Sequence, residues 1–388
     1  MKRILILNGS HSEIPLITAS KEMGLFVITS GNDPALSGHR YADLYYNTDF
    51  SDKDRILEIS KKHNIDYICA SANDFSMITA SYVSENLGLP GHDSYATTKT
   101  LHQKDKFKKI AYKLNLKVPK YKPVIKEDSS QSIKDYFGFP FMVKPVDLTG
   151  GKGISKVNHN KEIQSAIDNA FQFSKENRII AEEFIDGTLH SFSTFLINKK
   201  VKFYFSDNEF CPINPYHVTA SFSPSQNINI VKGELINQIE ILAKFFNLVD
   251  GIFHLQYIYK NNKFHIIDIT RRCSGDFYPI PVKYSSNLDL AKWIVKSEMG
   301  LSCKNFPDSF QEGFYGRLCV VNNNNGILRN IVIKEKLMEY VIEIYRLKSK
   351  GDSIKKHQKL MVLIFKFKSE DDIKILSRID TLITIEIE

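Results

Sequence analysis

Several signatures that would fix a chemistry outright are missing from this chain of 388 residues. Its five cysteines, Cys69, Cys211, Cys273, Cys303 and Cys319, stand far apart with no C-x-x-C pair, which argues against a zinc site and against a disulfide framework. There is no G-x-x-x-x-G-K-[ST] phosphate loop, and the turn after the first apolar run lacks G-x-G-x-x-G, so NAD is not expected. No G-x-S-x-G elbow or Ser-His-Asp order marks a nucleophilic hydrolase. The opening ILIL at 4–7 is too short for a signal peptide or a membrane span, and a cytoplasmic protein without a membrane partner is expected. The formal charge of +8 comes from lysines that are dispersed, not interleaved with aromatics in one stripe. That pattern suits anionic small molecules and gives no reason to expect a nucleic acid partner.

What is present is ordinary for a globular protein of two or three domains, with 43% hydrophobic and 25% charged residues. Near the start, RILIL at 3–7, LFVITS at 25–30 and DYICAS at 66–71 read as buried strands, with helices over 14–23 and 52–64 between them. Such a β-α-β-α-β order implies a parallel sheet whose crevice lies beyond the strand ends, where Gly9, Ser10, His11, Asn73 and Asp74 would gather. A lysine-bearing amphipathic helix is expected over 99–115, further helices over 161–176 and 233–246, and a tight hairpin over 251–269 turning at Asn261-Asn262. The segment 203–230 has few periodic signals and reads as a substrate-side loop carrying Glu209, Pro212, His217 and Ser221. Short β runs after 310 suggest a small capping α+β domain.

Four constellations carry chemistry. FPFMVKP at 139–145 alternates like a half-buried strand and puts Lys144 at its end, beside the loop DLTGGKG at 147–153. Gly150, Gly151 and Gly153 let backbone N–H groups close on an anion, and Lys152 adds a second cation, a combination suited to polyphosphate; taken alone, a mobile surface hairpin fits as well. In the hairpin, alternation groups His254 with Gln256 on one strand and Phe264, Ile266 and Asp268 on the other. Asp268 in an apolar run needs a counter-charge, either Mg²⁺ or a salt bridge to Arg271 or Arg272. RRCSGD at 271–276 is an anion-binding turn or a plain surface turn, and Glu182-Glu183 is either a base-lining linker or a pair of edge-strand charges. The lone His11, His190, His217 and His254 are weaker candidates.

Taken in order, these pieces resemble the ATP-grasp superfamily, in particular its carbamoyl-phosphate-synthase-like and amino-acid-ligase branches, over nearly the whole chain. The resemblance implies an α/β and α+β multidomain protein: an N-terminal parallel α/β domain at 1–95, an ATP-grasp domain at 96–310 with a lid at about 118–185, and a C-terminal α+β domain at 311–388. It implies ATP and Mg²⁺, with Lys106, Lys144, Lys152 and the glycines on the phosphates and Glu182, Glu183, Phe184 and Ile185 on adenine. Asp268 and Gln256 would hold the metal, and Arg272 and Arg317 would meet the carboxylate and its acyl phosphate. Three departures weaken metal holding: Gln256 where a Glu is usual, Thr270 where an Asn is common, and Asp268 as the shorter acid. Leu189 removes a carboxylate from the ribose side, for which His190 would substitute. The implied activity is ATP-dependent ligation of a small carboxylate, such as an amino acid or sugar acid, to an amine through an acyl phosphate. The alternative is an ATP-binding regulatory protein that has lost catalysis. Dimerisation is the habit of the resembling enzymes.

Overall fold

The computed structural model describes residues 1–128 and 130–388; Ser129, inside the expected lid, lies outside the described residues. The chain opens with β1 (Arg3–Leu7), α1 (Ile14–Glu22), β2 (Phe26–Gly31), β3 (Leu44–Asn47), α2 (Lys53–His63), β4 (Tyr67–Cys69) and α3 (Asp74–Leu87). The strands form a parallel sheet in the order β3-β2-β1-β4. Sequence reasoning missed β3, whose LYYN is short and lacks an apolar run. Leu5, Leu7, Ile28 and Ile68 pack beneath α2 and α3, so the strand C-termini and the first residues of α3 face out towards the rest of the molecule.

The helix expected over 99–115 is two: α4 (Tyr95–Leu101) and α5 (Lys104–Lys113). The break falls where side chains are drawn into tertiary bonds: His102 Nε2 accepts from the Arg271 N–H (3.3 Å), and Gln103 bonds Glu176 and Arg178 (3.1 and 2.8 Å). A small antiparallel sheet follows, β5 (Tyr121–Val124), α6 (Ser130–Phe137), β6 (Phe141–Pro145), β7 (Ser155–Val157), α7 (Ile163–Phe173) and β8 (Ile179–Glu183), ordered β5-β8-β6-β7. Phe141, Val143, Ile163 and Ile179 are buried where α6 and α7 cover this sheet. Phe139 is exposed and lies outside the strand, so the expected alternation begins two residues late.

The body of the molecule is an eight-stranded sheet built from β9 (Thr188–Ile197), β10 (Lys200–Phe210), β11 (Ala220–Ser223), β12 (Gly251–Lys260), β13 (Lys263–Thr270), β14 (Phe314–Val321), β16 (Val341–Arg346) and β18 (Lys359–Phe367); the smaller β15 (Gly326–Ile333), β17 (Ser353–Ile354) and β19 (Ile383–Ile387) pair separately. Two expectations are corrected here. Much of 203–230 is strand, not loop, because its polar residues Asp207, Glu209 and Ser221 share one face and alternate with Asn208 and Phe222 on the other. The segment after 310 does not stand apart as a cap, since β14, β18 and β16 continue the same sheet in the order β13-β12-β9-β10-β11-β14-β18-β16.

One face of the central sheet is apolar. Phe192, Phe253, Leu255, Tyr257, Phe264 and Ile266 bury themselves against α8 (Ile228–Phe245), which begins five residues before the expected 233. The other face carries Ser191, Asp207, Glu209, His254, Gln256 and Asp268. The hairpin turns through Asn261 and Asn262 at φ 49° and 60°, the left-handed pair that a two-residue turn requires. Its register is not strictly alternating: Gln256 faces Asp268, but Tyr257 faces Ile266. The bulge at Ile267 corrects the expectation that Ile266 and Asp268 share a face, sending Ile266 to the core and Asp268 to the polar side.

Candidate functional site

Two adjoining cavities open between the glycine loop and the polar face of the central sheet, of about 270 and 300 Å³. They share Thr149, Gly150, Tyr216, Val218, Gln256 and Asp268 as a common wall.

The first is a cleft with an apolar lining, including Met142, Phe184, Ile185, Leu189, Ile258 and Ile267. Cations gather at one end. Lys144 Nζ lies 3.0 Å from Glu182 Oε2, Lys108 Nζ 2.8 Å from Glu182 Oε1, and Lys104 Nζ 3.1 Å from Asp268 Oδ2. Burial would raise the Glu182 carboxyl, but Lys108 and Lys144 outweigh it and hold the group below its ordinary range. Burial pulls the Lys104 ammonium down, and Asp268 and Asp74 more than reverse that. Glu183, Phe184 and Ile185 line the cleft as a hinge after β8, with the Glu183 carboxylate accepting from the Lys120 N–H at 3.3 Å.

Lys106 is not brought to this cleft. Residues two apart on an α-helix project about 200° apart, and the buried stripe of α5 is Lys104, Phe107, Lys108 and Ala111. Lys106 points the other way, where burial together with Arg178 and Lys99 lowers its pKa. The i, i+3, i+4, i+7 spacing of that stripe was the available signal for Lys104. His190 is corrected for the same geometric reason: in a strand neighbours alternate, so Leu189 lines the cleft and His190 faces α8. There it is buried, bonded to Thr188 Oγ1 and Ser225 Oγ (2.6 and 2.9 Å) and stacked on Tyr257.

Within the loop, Gly150 and Gly151 line the cleft at φ +68° and +76°. A Cβ on Gly151 would stand 2.7 Å from the Tyr216 carbonyl oxygen, so the loop is seated directly on the Tyr216 backbone. Gly153 serves packing instead, since a Cβ there would meet Pro145 Cγ at 2.7 Å. Lys152 is exposed at the tip; the nearby His217 is pushed down chiefly by burial and Lys359, with Lys152 the smallest contributor.

The second cavity is dominated by charge. Arg272 Nε donates to Asp74 Oδ1 (2.7 Å) and its Nη1 to the Cys273 carbonyl (2.9 Å). Arg317 Nε donates to Ser221 Oγ (3.2 Å) and its Nη1 to the Gly275 carbonyl (3.0 Å). Among the described residues, neither Nη2 has a hydrogen-bond partner. Asp276 draws Lys359 Nζ (2.6 and 2.8 Å), His11 Nε2 (2.9 Å) and Arg317 Nη1 (3.4 Å). Burial opposes its ionisation, yet Lys359, His11 and Arg317 keep its carboxyl well below the usual range. His254 is buried on Ser193 Oγ (2.6 Å); burial, Arg272 and Arg317 push it down to about 3. Glu209 is pushed up to about 8 by burial and by Asp207, and accepts from Gln256 Nε2 at 2.5 Å. Asp268 bonds neither arginine that follows it: Arg271 is spent on buried Asp93 (2.9 Å), Arg272 on Asp74, and Lys104 is its partner. Sequence reasoning placed Asp74 at the crevice rim and Asp276 at the end of the RRCSGD turn but named no partner for either, and it gave Lys359 no role.

Among the described residues no group of three His, Cys, Asp or Glu side chains could hold a metal ion. Mg²⁺ asks for less when phosphates supply the remaining oxygens. Asp268 offers a carboxylate opposite Gln256, whose amide nitrogen is occupied by Glu209, leaving its carbonyl oxygen free of hydrogen bonds among the described residues. The donor set fits an ion held mainly by a polyphosphate, and no more than that.

Residues 110–201 match the family described as D-ala D-ala ligase C-terminus. A formate-dependent phosphoribosylglycinamide formyltransferase from Prochlorococcus marinus is 26% identical over 278 residues, 70% of each chain. Among solved structures, an L-amino acid ligase from Bacillus licheniformis superposes with a TM-score of 0.84 at 16% identity, over 100% of this chain and 99% of that one. A biotin carboxylase domain from Hydrogenobacter thermophilus, solved with MgADP, gives 0.78 at 16% identity over 100% and 90%. Among the described residues, no helix is long and apolar enough to cross a membrane.

Proposed function

From the premise that the chain is an ATP-grasp protein, we propose that it is an ATP-dependent carboxylate–amine ligase. The carrying observation is the shared wall: an apolar cleft with a cationic end opens into a charged cavity at Gly150, Gln256 and Asp268. A carboxylate oxygen attacks the γ-phosphorus of ATP and ADP leaves; the amine nitrogen then attacks the acyl carbon, the bond to phosphate breaks, and the nitrogen gives up a proton. Lys104, Lys144 and the N–H groups of Gly150 and Gly151 bind the phosphates, while Met142, Phe184 and Ile185 hold the base. The unpartnered Nη2 groups of Arg272 and Arg317 take the carboxylate, whose approach to a polyanion needs this neutralisation. Asp268 and the Gln256 carbonyl would hold Mg²⁺, which supplies charge neutralisation between the phosphates. Positioning supplies most of the remaining acceleration. The names of the formate-dependent and amino-acid relatives support a carboxyl group as the activated partner.

The second reading, a nucleotide-binding regulatory protein, draws on Gln256 and on the Lys104–Asp268 pair, which together leave few formal charges for metal. One assay separates them: ADP and phosphate release with ATP and Mg²⁺ against pooled amino acids and sugar acids, with and without amines. Release that requires both a carboxylate and an amine is expected. Nucleotide binding with no release from any pool would overturn the ligase in favour of the second reading.

A further inference from the structure

Asp74 stands at the first residue of α3 and lines the charged cavity, 196 residues from Thr270 and 198 from Arg272 in sequence. Three groups crowd one of its oxygens. Oδ1 receives Arg272 Nε at 2.7 Å and Thr270 Oγ1 at 3.1 Å, and lies 3.3 Å from His102 Nδ1. Oδ2 has no partner among the described residues, although the residue is only 8% exposed and lines the cavity. The arginine it pairs with is engaged through Nε and Nη1, with Nη2 unpartnered in the same cavity. An anionic acceptor and a cationic donor therefore stand side by side, each with one unspent valence. The fork between them is only half made: Nε is on Oδ1, and no hydrogen bond joins Nη2 to Oδ2. What satisfies both is a molecule carrying an ammonium and a carboxylate a short distance apart.

Resting on the ligase reading above, we infer that the activated carboxylate belongs to an amino acid whose ammonium is bound by Asp74 Oδ2 and whose carboxylate meets Nη2 of Arg272. Burial would raise the Asp74 carboxyl, but Arg272, His102 and Lys104 hold it well below its ordinary range, so it is charged at neutral pH. The consequence is a division of labour. An amino group held as an ammonium on Asp74 has no lone pair to offer, so the nucleophile must come from a second molecule. Asp74 is thus a specificity-determining residue, selecting α-amino acids over acids of the same size without the amino group.

The test uses phosphate release with ATP, Mg²⁺ and hydroxylamine as the amine, and two matched pools: L-amino acids and the same acids lacking the α-amino group. The wild-type protein is expected to prefer the amino-acid pool by at least about 30-fold, the size of a lost charged hydrogen bond in a buried site. Asp74→Asn should collapse that preference, and Asp74→Glu should restore part of it. Equal response to both pools, or response to the des-amino acids alone, overturns this inference and leaves the ligase standing. So does an Asp74→Asn protein that loses both pools alike, since Asp74 would then only anchor Arg272. Silence towards every pool with ATP binding intact overturns the inference and the ligase reading together. Should Asp74→Asn fail to fold, the wild-type comparison decides alone.

Discussion

The two cavities share a wall and differ in almost everything else. The cleft is lined by apolar side chains and main chain, and its charges are locked in a compact set around Glu182 and Asp268. The charged cavity is held by ion pairs and hydrogen bonds from widely separated segments, with Ser12, Asp74, Arg272, Arg317 and Lys359 all on its lining. A flat apolar slot with a cationic end asks little of individual side chains, because a base is recognised by shape and a polyphosphate by charge. A cavity of paired charges asks for particular atoms at particular places. The difference teaches where selectivity can reside: the cleft is generic, and the charged cavity is the part built from particular atoms.

The comparison can be broken most severely at the shared wall. Asp268→Asn should lower carboxylate-dependent ADP release by about 10³-fold, the scale of losing a metal-bound charge; it also weakens Mn²⁺ binding with ADP, read by electron paramagnetic resonance. A variant with unchanged release would remove Asp268 from the metal site. Arg272→Lys keeps the charge beside Asp74 but forfeits the fork, and should cut turnover about 100-fold with the KM for ATP within about threefold. Parallel loss of ATP affinity would show that the two cavities do not divide the work. Lys104→Ala and Lys106→Ala sharpen the cleft itself: about 30-fold weaker ATP binding is expected for the first and less than about twofold for the second. Calorimetric titration that reversed this order would return Lys106 to the phosphates.

The smallest effect concerns stability. Asp276 has its carboxyl depressed well below 3.8 in the folded protein, so its contribution is fully present above that value and is lost as pH falls through the folded one. Asp276→Asn should therefore cost about 2 kcal/mol at pH 7, a deficit unchanged down to about pH 4. Urea unfolding should show the gap closing only in stronger acid. A deficit that narrowed between pH 7 and pH 5 would overturn the assignment of this stabilisation to the Asp276 carboxylate.

Much of this was legible where function is written locally. Lys144 at a strand end, the paired glycines and the hinge at 182–185 all rely on neighbours a few residues away, and the structure brings them to one cleft. Lys104 escaped because a motif fixed the eye on Lys106, although the buried stripe of α5 pointed elsewhere. Ile266 escaped through a bulge, which no alternation pattern encodes. The strands within 203–230 were hidden because both the polar wall and the sheet interior fall on them, so the usual apolar signal is diluted. The rim position of Asp74 and the turn that holds Asp276 were legible, but their pairings, and Lys359 altogether, were not: the partners lie scores to hundreds of residues away, and no spacing announces them.

That separation bears on the order in which the molecule assembles. The Lys144–Glu182 bond joins residues 38 apart, whereas the His11–Asp276 bond joins residues 265 apart. Closing the longer loop is nearly three doublings, about 2 kcal/mol of chain entropy. The small sheet of β6 and β8 should therefore mature early during refolding and the cluster around Asp276 last, when the two ends of the polypeptide finally meet there. Pulse-labelled hydrogen exchange would follow it, with amides of β6 and β8 protected before those of Asp276 and Cys319; simultaneous protection would refute the sequence of events. A newborn chain would then carry its small sheet ready-made before the wall it faces, with Gln256 and Asp268, is in place.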